Sequence, residues 1–515
     1  MPENSTIAEK KTTPKNSTAK KAPYLILAFF AGALQTLTYA PFDYWPSGIL
    51  SALIIFAVAQ KLSTRDARLA GWLYGLGIYG SGASWVYVSI HDYGYTSAPL
   101  AALLTFLFVA FLALFQLLQL YLYKRAETGN SLFNALLFAG VWVLTDWFRS
   151  WFMTGFPWLY LGYGLTDSPI AWLAPVGGVH LVTFVVVLTG CTLLTIVTAR
   201  QQRQRLAFLL PIALLWLLSP LNKVSWTQLD TEYPITASVI QGNIDQRIKW
   251  NPAYRTYSIQ VYEKLSAPHW KNSDIILWPE TAIPLFQNTA RFITDTLAEQ
   301  ASRTDTTLIT GIPYRETPSD PDARTIYHNS ITSLGNGTGF YHKQKLVPFG
   351  EYIPLESMLR GLIGFLDLPM SSFTPGPPDQ NGLTAGGLNI APFICYEIVY
   401  PDFVATSAKQ NNILLTISND AWFGQSIAPE QHLEIAQMRS LETGRYMVRG
   451  TNNGISAIID HKGKITKKTD QFFATSLTGT VYSASRSTPF MITGSWPIVL
   501  FSLGLLICAF YRRFQ

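Results

Sequence analysis

A chain of 515 residues is long enough for two domains, and only 14% of its residues are charged. With 49% apolar residues and a positive mean hydropathy, it does not read as an ordinary soluble enzyme but as a protein partly embedded in a membrane. The formal net charge of +6 does not call for nucleic acid, because much of the basic excess falls in short loops between apolar runs, where anionic lipid accounts for it.

In chain order, residues 1–22 are rich in Lys, Ser and Thr without apolar periodicity and are expected to be a disordered tail. Apolar runs follow at 24–40, 47–61, 69–91, 98–123, 132–148, 170–199 and 206–221, with one more at 490–511. Most reach the ~20 residues that cross ~30 Å of hydrocarbon. The second and fifth are short, and the sixth contains Pro175 and a Gly-Gly pair. Basic residues alternate with the runs. Lys10, Lys11, Lys15, Lys20 and Lys21 precede the first; Lys61, Arg65 and Arg68, then Lys124 and Arg125, then Arg200, Arg203 and Arg205 fill the even loops; Arg512 and Arg513 close the chain. The short odd loops hold Asp43 and Asp92. By the positive-inside rule both termini are expected in the cytoplasm. The expected organisation is a cytoplasmic tail (1–22), a helical membrane domain of about seven spans (23–222), an extracytoplasmic domain (223–489), and a final span with a cytoplasmic tail (490–515). A secretory signal over 1–40 is the rival reading; it is long for a signal, and its removal would disturb the alternation.

From about 230 the pattern changes to short apolar strands alternating with polar helices. Strands are expected at Ala237–Gln241, Asp274–Trp278, Thr307–Ile312, Asn329–Ser333, Leu388–Cys395, Ile413–Ser418 and Ile455–Asp460. Helices are expected at Pro252–Leu265, Thr289–Ser302, Asp402–Lys409 and Pro429–Arg445. The alternation predicts a layered α/β domain. Gly335-Asn336-Gly337 is a turn signal, not a phosphate cradle.

Three segments end strand-like runs with chemically useful side chains: I-I-L-W-P-E at Glu280, F-Y-H-K at Lys343, and I-A-P-F-I-C at Cys395. Cys191 and Cys508 lie within apolar runs, so Cys395 is the lone thiol of the polar domain and a candidate nucleophile. A carboxylate to take its proton and an ammonium to hold an oxyanion would complete an acyl-transfer site. The Tyr396 amide is a second oxyanion candidate. Lys345 competes with Lys343, since strand alternation would put both on one face.

These segments resemble the Glu-Lys-Cys triad of the nitrilase superfamily, and in particular the bacterial apolipoprotein N-acyltransferases, its membrane-embedded branch. The resemblance extends to L-W-P-E-T-A-I-P (277–284), K-L-V-P-F-G-E-Y-I-P (345–354), I-C-Y-E (394–397), S-N-D-A-W-F-G (418–424) and T-N-N-G-I-S (451–456). In the apolar half it covers Y-A-P-F-D (39–43), S-W-V-Y-V-S-I (84–90) and T-G-F-P-W-L (154–159). It implies a nitrilase-like α-β-β-α sandwich inserted in a polytopic helical membrane domain of about eight spans. It also implies Cys395 as acylated nucleophile, Glu280 as base and Lys343 as oxyanion partner, the family register choosing Lys343 over Lys345. Supporting roles fall to Glu351 and Glu397, and pocket roles to Trp250, Tyr396 and Trp422. For the two glutamates the plainer reading is ion pairing with Lys343 or arginines, and for the two tryptophans core packing.

The implied reaction is ping-pong. A membrane phospholipid acylates Cys395, and the acyl chain passes to the N-terminal amine of a diacylglyceryl-cysteine apolipoprotein. No cofactor is expected, and the seven histidines show no metal-ligand spacing. A monomer in the bacterial inner membrane is expected. The apolar segment Met358–Leu366, with two glycines, suggests a mobile arm within 356–370 that dips into the membrane interface. Two rivals use the same features: a membrane-tethered amidase that hydrolyses a small amide, and a transporter whose outer domain only binds.

Overall fold

The computed structural model describes residues 21–199, 201–316, 325–354 and 372–514. Helices form at all eight apolar runs: α1 (Ala22–Gln35), α2 (Pro46–Lys61), α3 (Thr64–Gly82), α4 (Ala98–Ala126), α5 (Ser131–Arg149), α6 (Ala174–Thr198), α7 (Gln202–Leu217) and, at the C-terminus, α12 (Trp496–Phe514). Four helical stretches, Ala98–Ala126, Ser131–Arg149, Ala171–Thr198 and Arg205–Lys223, are by themselves long and apolar enough to cross a membrane. Those at Ala22–Thr38, Pro46–Lys61 and Trp496–Arg512 are apolar but shorter. The third run departs most from expectation: α3 starts at Thr64, stops at Gly82, and short turns follow at Val86–Tyr93. Its glycines explain both its modest hydropathy and its place. A Cβ on Gly71 would lie 2.4 Å from the Gln116 carbonyl oxygen of α4, and one on Gly77 2.1 Å from that of Phe29 in α1. Only glycine lets the three backbones approach so closely. Of the tail expected over 1–22, only Lys21 and Ala22 are described, and they open α1.

The basic loops gather at one end of this bundle. Lys21 pairs with Asp66 at 2.8 Å, and Arg68 and Arg125 both lie over the Tyr121 ring. The loops after α1, α3 and α5 meet the polar half at the other end. The Ala40 N–H donates to Glu434 (3.2 Å), Ser89 to the Trp422 carbonyl (2.7 Å), and Trp158 to Gln431 (2.8 Å).

The polar half contains two six-stranded sheets. The first has the order β12-β1-β2-β3-β4-β5, from β1 (Gln228–Gln241), β2 (Ile275–Leu277), β3 (Thr307–Glu316), β4 (Ile326–Gly335), β5 (Phe340–His342) and β12 (Thr475–Ser485). The second runs β11-β10-β9-β8-β7-β6, from β6 (Leu383–Ala385), β7 (Leu388–Ile394), β8 (Ile413–Ser418), β9 (Met447–Thr451), β10 (Ala457–Ile459) and β11 (Ile465–Lys468). Strands β1, β2 and β3 are parallel, as are β7, β8 and β9. Alternate residues face inward between the sheets: Ala237, Val239, Ile275 and Leu277 from one, Ile413, Leu415 and Ile417 from the other. The opposite faces are also covered, so these strands read as nearly continuous apolar runs.

Helices α8 (Arg255–Ser266) and α9 (Arg291–Arg303) cover the first sheet, burying Ile259, Tyr262 and Leu297 against Ile276, Trp278 and Leu308. On the second sheet, α10 (Pro401–Ala408) and α11 (Ala428–Thr443) pack against Phe393, Leu414 and Met447. The result is an α-β-β-α sandwich. That last cluster continues without a break into Trp85, Trp158, Tyr163 and Val182 of the apolar half. Each large side chain buried there contributes about 1.5–3 kcal/mol, so the junction is a shared core rather than a tether.

Candidate active site

Glu280, Lys343 and Cys395 each follow the C-terminal end of a strand, β2, β5 and β7 respectively. That is the end at which open α/β sheets place ligands. Glu280 is 7% exposed and Lys343 1%, whereas Cys395 is only partly buried.

The Glu280 carboxylate is fixed on both sides. Oε1 accepts from Asn329 Nδ2 at 2.7 Å, and Oε2 from the Asn419 N–H at 2.8 Å. Its backbone passes so close to β3 that a Cβ on Gly311 would lie 2.7 Å from the Glu280 Cα. Burial raises its pKa, an effect opposed by Lys343 and reinforced by Glu351. A carboxylate destabilised in this way is poised to accept a proton.

Lys343 Nζ lies 2.9 Å from Glu351 Oε1 and 2.8 Å from Oε2. Burial opposes its charge, but Glu351 and then Glu280 outweigh burial and raise its pKa, so the ammonium is permanent. Strand β5 ends at His342, so alternation does not carry on to Lys345. The Lys345 ammonium sits instead over the Tyr400 and Phe403 rings, 5.7 and 5.8 Å from their centres. Geometry therefore separates two lysines that spacing left open.

Cys395 has φ 52°, a left-handed conformation that costs a non-glycine residue strain. The strain turns the chain sharply from β7 into the short helical turn Cys395–Val399. Burial, with Glu280 next, pushes the thiol up to about 12. The group therefore rests as a thiol, not as the few per cent thiolate that its ordinary pKa suggests. Ser418 Oγ lies 3.4 Å from the sulfur.

Glu351 and Glu397 turn out to differ. Glu351 is the ion-pair partner of Lys343, and its Oε2 also accepts from the Val347 N–H at 2.9 Å. Glu397 has no ion-pair partner among the described residues. Its Oε1 accepts from Tyr341 OH (2.9 Å) and the Gln344 and Lys345 N–H groups (2.6 and 3.2 Å), and its Oε2 from the Ile394 N–H (2.7 Å). It ties the lysine loop to the cysteine turn, and burial raises its pKa to about 7. The Tyr396 hydroxyl reaches the Gly155 carbonyl of the apolar half at 3.0 Å. Trp422 lies at that junction too, its ring 5.8 Å from that of Tyr93. Trp250 is half-buried and directly follows the turn Gln246–Lys249.

Sequence reasoning missed Lys249, Asn329 and Asn419. Lys249 is 2% exposed and donates to the Glu280 carbonyl at 2.9 Å. Burial lowers its pKa to about 8 against the pull of Glu280 and Cys395. Its position beside Trp250 was the available signal. Asn329 stands in a predicted strand, where an amide gives no cue. Among the described residues no group of three or more His, Cys, Asp or Glu is arranged to hold a metal ion. The segment Met358–Leu366, read as a mobile arm, lies outside the described residues.

The arrangement sets a buried carboxylate, a paired ammonium and a strained thiol against loops of an apolar helical bundle. Residues 31–192 match the family described as apolipoprotein N-acyltransferase N-terminal domain, and residues 236–488 match the carbon-nitrogen hydrolase family. Apolipoprotein N-acyltransferase of Pseudomonas paraeruginosa is 45% identical over 95% of this chain and 96% of its own length. That of Pseudomonas aeruginosa is 46% identical over the same shares. That of Photobacterium profundum is 38% identical over 94% of this chain and 93% of its own. With likeness of this extent across both halves, the chain belongs to the apolipoprotein N-acyltransferase family.

Proposed function

We propose that this enzyme moves a fatty acyl chain from a membrane phospholipid, through a thioester on Cys395, to the N-terminal amine of a diacylglyceryl-cysteine apolipoprotein. The observation that carries the reading is the meeting of Glu280, Lys343 and Cys395 directly against loops of the apolar bundle, with Tyr396 bonded to Gly155.

As the sulfur attacks the ester carbonyl, its proton passes to the Glu280 carboxylate. Proton transfer and attack are coupled, because a thiol held up to about 12 does not ionise beforehand. Lys343 and the Tyr396 N–H receive the oxyanion. Glu280 returns the proton to the departing lysophospholipid oxygen. In the second half-reaction Glu280 takes a proton from the attacking amine and returns it to the Cys395 sulfur as the C–S bond breaks; the thioester becomes a more stable amide, so transfer runs downhill. Glu351 and Glu397 position Lys343 and the cysteine turn. Trp250 and Trp422 line the approach. The enzyme acts in the inner membrane as a monomer, with both termini cytoplasmic and residues 223–489 on the periplasmic side. The basic end of the bundle, opposite the catalytic half, supports that orientation.

The test is the intact mass of the detergent-solubilised protein after incubation with a phospholipid, beside Cys395→Ala. A hydroxylamine-labile fatty-acyl increase, absent from the variant, is expected. An unmodified protein beside unchanged lipid would overturn the reading in favour of a small-amide hydrolase.

A further inference from the structure

A second buried polar group touches Cys395 and plays no part in the chemistry above. Asp420 and Arg449 are fully buried, and His432 nearly so. Arg449 Nη2 donates to Asp420 Oδ2 at 2.8 Å and lies 3.0 Å from His432 Nδ1. Nδ1 is 3.1 Å from Asp420 Oδ1, which also accepts from Ser418 Oγ at 2.5 Å. The other ring nitrogen, Nε2, lies 3.3 Å from the Cys395 carbonyl oxygen.

The partner of Nε2 decides where its hydrogen lies. A carbonyl oxygen only accepts, so Nε2 carries the hydrogen and donates to Cys395. Nδ1 stands between a donor, Arg449 Nη2, and an acceptor, Asp420 Oδ1, so it finds a partner with or without a hydrogen of its own. Burial and Arg449 lower the pKa of the ring against the opposing pull of Asp420. The Trp158 ring lies 5.5 Å from the imidazole, and a Cβ on Gly454 would come within 2.4 Å of Asp420 Oδ2, so the group is wedged in place. His432 is therefore not the base for the thiol: its donor is committed to the carbonyl rather than the sulfur.

A peptide unit is planar, so holding the Cys395 carbonyl also fixes the direction of the Tyr396 N–H on the opposite edge of the same plane. Tyr396 lies in the first turn of a helical segment, where main-chain N–H groups have no partner within the helix. We propose that His432 is a positioning residue for the oxyanion site: it anchors the Cys395–Tyr396 peptide so that the Tyr396 N–H points at the developing oxyanion. A hydrogen bond to the carbonyl also polarises the unit and strengthens that N–H as a donor. The inference rests on the oxyanion role given to Tyr396 above.

The experiment separates two reactions of one sulfur. Acylation by p-nitrophenyl butyrate passes through an oxyanion, whereas alkylation by iodoacetamide does not. In His432→Ala the acylation rate is expected to fall about 100-fold, the scale of one lost oxyanion donor, while alkylation stays within about twofold of the parent. His432→Gln, whose amide restores a donor, is expected to recover most of the loss. Equal loss in both reactions would mean that His432 merely supports the fold, and unchanged acylation would mean that it does not act on the oxyanion; either overturns the proposal, as does a parent enzyme that p-nitrophenyl butyrate does not acylate. Acylation by this ester with no adduct from phospholipid would instead count against the lipid-donor reading and leave the His432 comparison intact.

Discussion

Both carboxylate oxygens of Glu351 lie within 2.9 Å of the Lys343 ammonium, so the lysine charge is matched by a carboxylate before any substrate arrives. Glu351 does more than neutralise. It is the main influence raising the pKa of Lys343 against burial, and it also raises that of Glu280.

Replacing Glu351 with Gln therefore has a defined sign. Without that charge the pKa of the buried lysine falls, so its ammonium is a less secure oxyanion partner. Glu280 simultaneously ionises at lower pH, which draws the acid limb toward acid. The acid limb of Cys395 acylation is expected to move to lower pH. Acylation at pH 7 should fall about 100-fold as the oxyanion partner weakens. A profile that keeps its position while losing height would mean that Glu351 acts on geometry alone. Glu351→Ala is expected to be worse in stability, because it also leaves the Val347 N–H and the Asn329 amide without their acceptor, at about 1–3 kcal/mol each.

The thiol gives a paradoxical pair of outcomes. Glu280 is the largest charge raising the Cys395 pKa, second only to burial. Removing its charge in Glu280→Gln lowers that pKa, so iodoacetamide alkylation at pH 8–9 should become faster. Acylation should become slower by about 10²–10⁴-fold, because the proton acceptor is gone. Measured side by side, the two rates move in opposite directions. Parallel loss of both would show that Glu280 only shapes the turn.

How much of this was legible in the sequence follows from what each residue does. The strand-end positions of Glu280, Lys343 and Cys395 could be read because an apolar run that stops at a charged residue or a thiol is a strong local signal. Strand β8 was placed residue for residue at Ile413–Ser418, since both its faces are buried. Strand β9 was missed because Arg449 interrupts Met447–Thr451, and that arginine is there to hold Asp420. Strand β12 was missed because it pairs along the polar edge of β1 and carries mostly Ser and Thr. Lys249 left only its place beside Trp250 as a local signal and His432 none: their importance comes from chain segments more than thirty residues away.

Glu397 supports a prediction of stiffness rather than chemistry. Its four acceptor contacts join the Gln344–Lys345 loop to Ile394. Glu397→Ala leaves several buried donors without partners at about 1–3 kcal/mol each. A large fall in melting temperature is expected, together with a fall in kcat. Glu397→Gln keeps one acceptor oxygen and should lie between the two. Full stability with lost acylation in Glu397→Ala would instead give Glu397 a direct chemical part.

Lys249 is the second ammonium of the site, and its charge is less secure than that of Lys343. It donates to the Glu280 carbonyl, and burial brings its pKa to about 8. Below that pH it is charged, lowers the pKa of Glu280 and favours the negative charge that develops at Cys395; above it the charge, and with it that support for the attacking sulfur, disappears. The acylation half-reaction should therefore decline as pH rises through about 8, even though the acceptor amine takes no part in this step. In Lys249→Met that decline should vanish. The acid limb should shift to higher pH, because Glu280 has lost a stabilising cation. On that limb the rate follows the ionised fraction of Glu280, so losing about 1.4 kcal/mol of stabilisation of its charge lowers the rate about tenfold. Stopped-flow acylation between pH 5 and 10 reads both limbs at once. If the variant keeps the decline near 8, another group titrates there, and Lys249 serves only to hold the backbone of Glu280.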